Sequence, residues 1–195
     1  MENTARSKAD RFFDALRANP VIPAVRGPDG ALDHALETQP AAIFVLGGDV
    51  FRVLERVGGE RERPFVCVNV DMVGGVAADA SGVRFLSKHV DGIISTHRHV
   101  IELAKGAGLF TVHRLFAIDS SAVERGLKLI HRAEPASVEI LPGLAYPEIS
   151  ASYRKALHQP MLAGGLIKNQ EAVTRILKAG AAGVSTSDPA LWKHA

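Results

Sequence analysis

What the chain lacks narrows its class first. It has one cysteine, Cys67, so no intrachain disulfide can form. That residue sits inside the apolar run PFVCVNV, as a buried structural thiol would. No apolar run approaches the roughly 20 residues that a bilayer-spanning helix needs, and MENTARSKADRFFDAL holds no signal-peptide core. The expected location is therefore the cytoplasm, with no membrane partner. Net charge is also small. With 23 Lys and Arg against 21 Asp and Glu it is +2, too little to announce nucleic acid, although a local basic patch stays open. Neither an aromatic ribonucleoprotein signature nor an arginine-rich tract occurs. Linkers and low-complexity tracts are missing as well. The 195 residues, 47% hydrophobic and 23% charged, read as one domain over 1–195 that can bury a full core.

What is there is an alternation. Short β-rich runs begin at Val21 (VIPAV), Ala41 (AAIFVLGG), Pro64 (PFVCVNV), Asp91 (DGIISTH), Leu109 (LFTVHRLF), Ser137 (SVEILPG), Pro160 (PMLAGG) and Ala182 (AGVSTS). Between them lie stretches such as DVFRVLERVGG and NQEAVTRILKAG, where apolar residues recur at three and four, a cap residue leads and glycine follows. Ser121 and Glu124 in SAVE have capping-box spacing. Eight such units predict an α/β protein, a compact (β/α)8 TIM barrel over about residues 20–192. A doubly wound open sheet is the alternative, because about 250 residues are typical of the barrel and this chain is shorter. Ahead of the first strand, ADRFFDALRANP sets Ala9, Phe12, Phe13 and Leu16 at helical spacing. That predicts an extra helix over about residues 5–18, plugging the N-terminal end of the barrel or packed elsewhere on its outside.

In a barrel, function sits at the C-terminal strand ends, and strand parity decides which side chains face the axis. Val66, Val68 and Val70 are expected to face the helices, with Cys67, Asn69 and Asp71 facing the axis. The same alternation is expected to turn Arg26, Ser95, His97, Thr111, His113 and Glu139 inward or to the rim. Arg114 falls on the outward parity, near enough to the strand end to bend over the mouth. Fixed ion pairs, Arg26–Asp71 or Arg114–Glu139, would explain some of these residues structurally. The stretch MLAGGLIKN points to a phosphate, because Gly164 and Gly165 carry no side chain to hold a ligand off the backbone N–H groups, and a helix start follows. One unit later, Ser185, Thr186 and Ser187 precede Asp188 and Pro189, an expected N-cap and first position of a short helix through Trp192. The loops after strands seven and eight commonly form the phosphate site of a barrel. Lys168 would supply a point charge there. His97 and His99 in HRH have metal-like spacing but no companion cluster, so neither metal nor cofactor is expected.

Taken in order, VIPAVRG, VNVDMVGG, DGIISTHRHVIELAKGAGLFTVHRLFAIDS, VEILPG, LAGGLIKNQEAV and AGAAGVSTSDPALW resemble the glycerol-uptake-operon antiterminator family, from about Pro20 to Trp192. The resemblance implies a barrel that responds to glycerol 3-phosphate and, when liganded, binds leader mRNA of a glycerol-catabolism operon to prevent premature termination. It implies ligand contacts from Arg26, Asp71, Ser95, Arg114, Glu139, Lys168 and the two phosphate loops. His113, inward by strand parity, is placed with them at the polar mouth, and a homo-oligomer is a further expectation. Two other readings use the same grip. A triose- or sugar-phosphate enzyme would take Asp71 or Glu139 as base and His113 as acid. A phosphate-ligand sensor would signal through a protein partner instead of RNA.

Overall fold

The computed structural model describes residues 7–27, 30–58 and 63–193. Helix α1 (Lys8–Ala18) opens with a capping box, in which the Ser7 hydroxyl accepts from the Asp10 N–H and the Asp10 carboxylate accepts from the Ser7 N–H. Positions 5 and 6 of the expected helix lie outside the described residues. The chain then runs β1 (Val21–Val25), α2 (Gly30–Glu37), β2 (Ala42–Val45), β3 (Gly48–Asp49), α3 (Val50–Val57), β4 (Phe65–Asn69), β5 (Val73–Gly74) and α4 (Ala80–Leu86). It continues with β6 (Gly92–Ser95), α5 (Arg98–Gly106), β7 (Phe110–Phe116), α6 (Ser120–Ala133), β8 (Ser137–Leu141), α7 (Tyr146–Ala156), β9 (Met161–Gly164), α8 (Gln170–Lys178) and β10 (Gly183–Thr186). A 3-10 turn, Pro189–Leu191, follows.

Eight parallel strands close in the order β1, β2, β4, β6, β7, β8, β9, β10, and β10 pairs back onto β1 through Val184↔Val21 and Ser185↔Ile22. The fold is therefore a (β/α)8 barrel and not an open sheet. The crossovers are economical: among the described residues the helices between strands run from 7 to 14 residues, and the last strand is followed by a 3-10 turn. Sequence patterns did not reveal β3 and β5, two residues each, which pair in parallel and tie together the loops after β2 and β4. The cap in SAVE is also displaced. Asp119 is the N-cap of α6, accepting from the Ala122 N–H, because the helix starts at Ser120, one residue before Ser121, while Glu124 pairs with Lys128 one turn on.

Two apolar layers divide the residues by parity. Ile43, Val45, Val66, Val68, Ile93, Val138 and Ile140 face outward against the helices. Ile22, Ala24, Phe44, Cys67, Ile94, Phe110, Val112 and Leu162 fill the inside, where Phe12 and Leu16 of α1 join them. The Phe12 ring centroid lies 4.3 Å from that of Phe110, 5.1 Å from Phe65 and 6.5 Å from Phe44, so one side chain seals three strands. Helix α1 is thus the plug of the N-terminal end. Burial, with Asp91 and Glu139 adding repulsion, pushes the Cys67 thiol well above its ordinary range and leaves it an inert filler. Among the described residues no helix is long and apolar enough to cross a membrane. Replacing Phe12 by Ala should cost about 3–5 kcal/mol, a Tm loss of roughly 6–20 °C for a chain of this size. Phe13→Ala, at a half-buried position, should cost less than half as much. Equal effects in thermal unfolding would mean that α1 does not plug the barrel.

Candidate functional site

The C-terminal end of the barrel is polar where the other end is aromatic. The backbone register sets Arg114 of β7 beside Glu139 of β8, and Gly164 of β9 beside Ser185 of β10. Glu139 is fully buried. Its Oε2 accepts from Arg114 Nε at 2.6 Å and its Oε1 from Ser185 Oγ at 2.6 Å. A buried carboxylate needs both a charge partner and hydrogen bonds, and here two neighbouring strand ends supply them. The Arg114–Glu139 ion pair anticipated as a structural alternative is thus present. Gly164 follows from it: a Cβ there would stand 2.3 Å from Ser185 Oγ and 2.5 Å from Glu139 Oε1, too close for any side chain. Just beyond, Gly165 at φ +83° and Leu166 at φ +62° turn the chain away from the strand.

Loops after β9 and β10 meet, as the motif order predicts. Thr186 Oγ1 donates to the Ile167 carbonyl at 3.0 Å and accepts from the Asp188 N–H at 3.1 Å. Trp192, buried, donates from Nε1 to the Thr186 carbonyl at 2.8 Å, and Asp188 caps the 3-10 turn by accepting from the Ala190 N–H. Of the serine–threonine run, the Ser185 and Thr186 hydroxyls are therefore committed inside the protein, while Ser187 is exposed. Lys168 and Arg26 are exposed as well, Arg26 at the end of β1, the strand beside β10.

A second constellation forms between β4, β6 and β7. Asp71 lies in the turn after β4, its N–H donating to Asn69 Oδ1 at 3.1 Å. Its Oδ1 accepts from Ser95 Oγ at 2.7 Å, and its Oδ2 accepts from the Thr96 N–H at 2.7 Å and Thr96 Oγ1 at 3.0 Å. Ser95 Oγ in turn accepts from the His97 N–H at 3.0 Å. Asp71 is thus a clamp on the loop after β6, a role that its position in VNVDMVGG alone did not disclose. His97 and His99 have ring centroids 5.8 Å apart, and the described residues contain no group of three or more His, Cys, Asp or Glu able to hold a metal.

Parity in two strands differs from the expectation. Phe110 and Val112 fill the barrel interior, so Arg114 points inward, whereas Thr111, His113 and Leu115 face the helices. Ile94 is likewise interior, which places Ser95 on the helix-facing parity, paired with His113. The reason is that LFTVHRLF and GIISTH carry apolar residues on both parities, so alternation could not orient them. The register against Glu139 decides. His113 is 1% exposed and its Nδ1 meets no hydrogen-bond partner among the described residues. Burial pushes its pKa down to about 4, with nearby Asp71 opposing and His97 adding to the shift.

Residues 21–192 match the family described as glycerol-3-phosphate responsive antiterminator. The chain belongs to that family. Among solved structures it is similar to the glycerol uptake operon antiterminator regulatory protein of Listeria monocytogenes, 30% identical, TM-score 0.80, covering 98% of this chain and 97% of the other. It is also similar to a glycerol uptake operon antiterminator-related protein of Thermotoga maritima, 31% identical, TM-score 0.78, covering 90% and 99%. An uncharacterized Escherichia coli protein, YgcP, is 31% identical over 180 residues, 91% of this chain and 93% of its own. In this antiterminator-family chain the Arg114–Glu139–Ser185 group and the loops after β9 and β10 share one mouth, whereas His113 lies behind it. Sequence reasoning missed Thr96, the second holder of Asp71, whose only cue was its place after Ser95 at a strand end.

Gly164→Ala should destabilise by about 1–3 kcal/mol through overpacking. Ser185→Ala should recover part of that loss in the double variant, because it removes the nearer clash; additive losses in urea unfolding would place the clash elsewhere. For His113 the unfolded side chain protonates near 6.5 and the folded one near 4. Its contribution is therefore complete above about pH 6.5 and is lost as pH falls toward 4. By about pH 4.5 the loss is roughly 2.5 kcal/mol. His113→Gln should flatten the stability profile over that window, and an unchanged slope would remove His113 as its source.

Proposed function

We propose that this chain senses glycerol 3-phosphate at the C-terminal mouth of its barrel and that the liganded form acts on leader mRNA of a glycerol-catabolism operon as an antiterminator. The observation carrying this reading is the meeting of the loops after β9 and β10, the place where barrels commonly take phosphate, in a chain that matches the glycerol-3-phosphate responsive family over residues 21–192. The phosphate would lie on backbone N–H groups beyond Gly164 and Gly165 and around Ser187, with Lys168 as the point charge. Glu139, fully buried, would act through the groups it holds, keeping Arg114 and Ser185 in place beneath the glycerol end of the ligand. Arg114 and Arg26 would balance charge. Asp71, Ser95 and Thr96 would shape the rim by holding the loop after β6.

Coupling to RNA requires the ligand to prefer the RNA-competent state by a free-energy difference, and ligand-driven ordering of these short loops would supply it. The triose-phosphate enzyme reading loses support from one observation: His113, its expected acid, faces the helices instead of the mouth.

Thermal unfolding with glycerol 3-phosphate, glycerol, inorganic phosphate and sulfate tests the grip. At about 100 times the dissociation constant, ligand should add about 2.7 kcal/mol, or roughly 5–10 °C in Tm. The rise should be specific to glycerol 3-phosphate and reduced in Lys168→Ala. No rise with any phosphate compound would end this reading. A gel shift with the operon leader, stronger with ligand and falling steeply with salt, would separate antitermination from signalling through a protein.

A further inference from the structure

Among the described residues, six of the seven large apolar side chains that stand exposed are Phe51, Met72, Phe116, Ile118, Leu144 and Leu166, and all six lie at the C-terminal end of the barrel. Four of them cluster at the ends of three adjacent strands: Phe116 as the last residue of β7 with Ile118 just after it, Leu144 after β8, and Leu166 after β9. Backbone hydrogen bonds knit these loops side by side, Ala117 N–H to the Leu141 carbonyl at 2.7 Å and Gly143 N–H to the Gly165 carbonyl at 3.2 Å. The patch is therefore continuous. Ile118 is 77% exposed and Leu166 66%.

Leu166 also adopts φ +62°, in the left-handed region where Gly or Asn would sit without strain. A bulky apolar side chain held in an unfavourable backbone conformation and left in water returns nothing to the isolated chain, so its return lies outside it. Within residues 116–119, 141–145 and 164–169 the only charges are Asp119 and Lys168, both exposed, one at each end of the row β7, β8, β9. An apolar centre with opposite charges at its two ends is self-complementary under a two-fold rotation. RNA fits this face poorly, since three of the four side chains are aliphatic and offer no stacking surface, and a single cation is present.

From this pattern we infer that the face formed by the loops after β7, β8 and β9 is where a second copy of the chain docks. The two-fold axis passes near Leu144. Ile118 meets Leu166 of the partner subunit, and Asp119 faces Lys168 of the partner subunit. The contact covers one side of the mouth and leaves the side of β1, β2, β4 and β6 open. Lys168 is shared with the proposed phosphate site, so the interface is tested in the absence of ligand, where its failure and the failure of the glycerol 3-phosphate reading are told apart.

Sedimentation velocity, run without any phosphate compound from micromolar to near-millimolar protein, tests the interface. Wild type should show a monomer–dimer equilibrium. Leu166→Asn should raise the dimer dissociation constant at least about tenfold while Tm holds or rises, because Asn tolerates the backbone. Asp119→Lys should weaken the dimer by setting like charges face to face. Adding Lys168→Asp to it should restore the dimer, although neither change restores the α6 cap. A wild type that stays monomeric throughout would overturn the inference and give the face to a different partner. A dimer unmoved by Leu166→Asn and by Asp119→Lys would overturn it in favour of another surface.

Discussion

The carboxylate of Glu139, fully buried and held by Arg114 on one side and Ser185 on the other, is the constraint around which the upper half of this barrel is arranged. Losing Arg114 would leave a buried charge unpaired, at about 3–5 kcal/mol, and losing the Ser185 hydroxyl would leave an acceptor unsatisfied, at about 1–3 kcal/mol. The three side chains therefore bind the ends of β7, β8 and β10 together. They also forbid a side chain at Gly164 on β9, which stands between Glu139 and Ser185. The identities of four positions on four strands thus follow from one buried charge.

That charge divides the barrel along its axis. Below it the interior is apolar and closed by Phe12, whose ring reaches Phe44, Phe65 and Phe110. Above it the strand ends are polar, and the loops after β9 and β10 are tied through Thr186. An anionic, hydroxylated ligand has only one end of such a barrel to favour. The second polar group, Asp71 with Ser95 and Thr96, serves a different end: it fixes the shape of a loop at the rim. His113 stands behind the sheet, kept neutral by burial, where it cannot act on a ligand in the mouth.

The rim carries a further contrast. Around a polar mouth, the loops after β7, β8 and β9 present Phe116, Ile118, Leu144 and Leu166 outward. Polar groups at the axis and apolar groups on the rim suit different partners, a small hydrophilic molecule within in the proposed function and a protein surface without in the inferred dimer. Lys168 stands at the boundary between them, in the loop after β9 and at one edge of the apolar row.

Much of the fold was legible in residue order because its signals are local. Eight β-rich runs, the caps Asp49 and Asn169, and the Phe12 and Leu16 spacing each depend on neighbours within a few residues, and all reappear as expected. The ordered motifs were equally legible, and they carry the family. What residue order left open was orientation. LFTVHRLF has apolar residues on both faces, so only pairing with β8 could turn Arg114 inward and His113 outward. In the same way Asp71, Ser95 and Thr96 are separated by 24 and 25 positions and meet only across two strands. Sequence by itself determined the eight strand–helix units, the leading helix and the adjacent glycines after β9, because period, capping and the absence of side chains are properties of short segments; closure of the sheet and the docking of that helix as its plug needed the tertiary structure. Tertiary structure alone decided which polar groups share the mouth and which lie behind it, because that depends on strand register, and register is set by burial across the whole barrel.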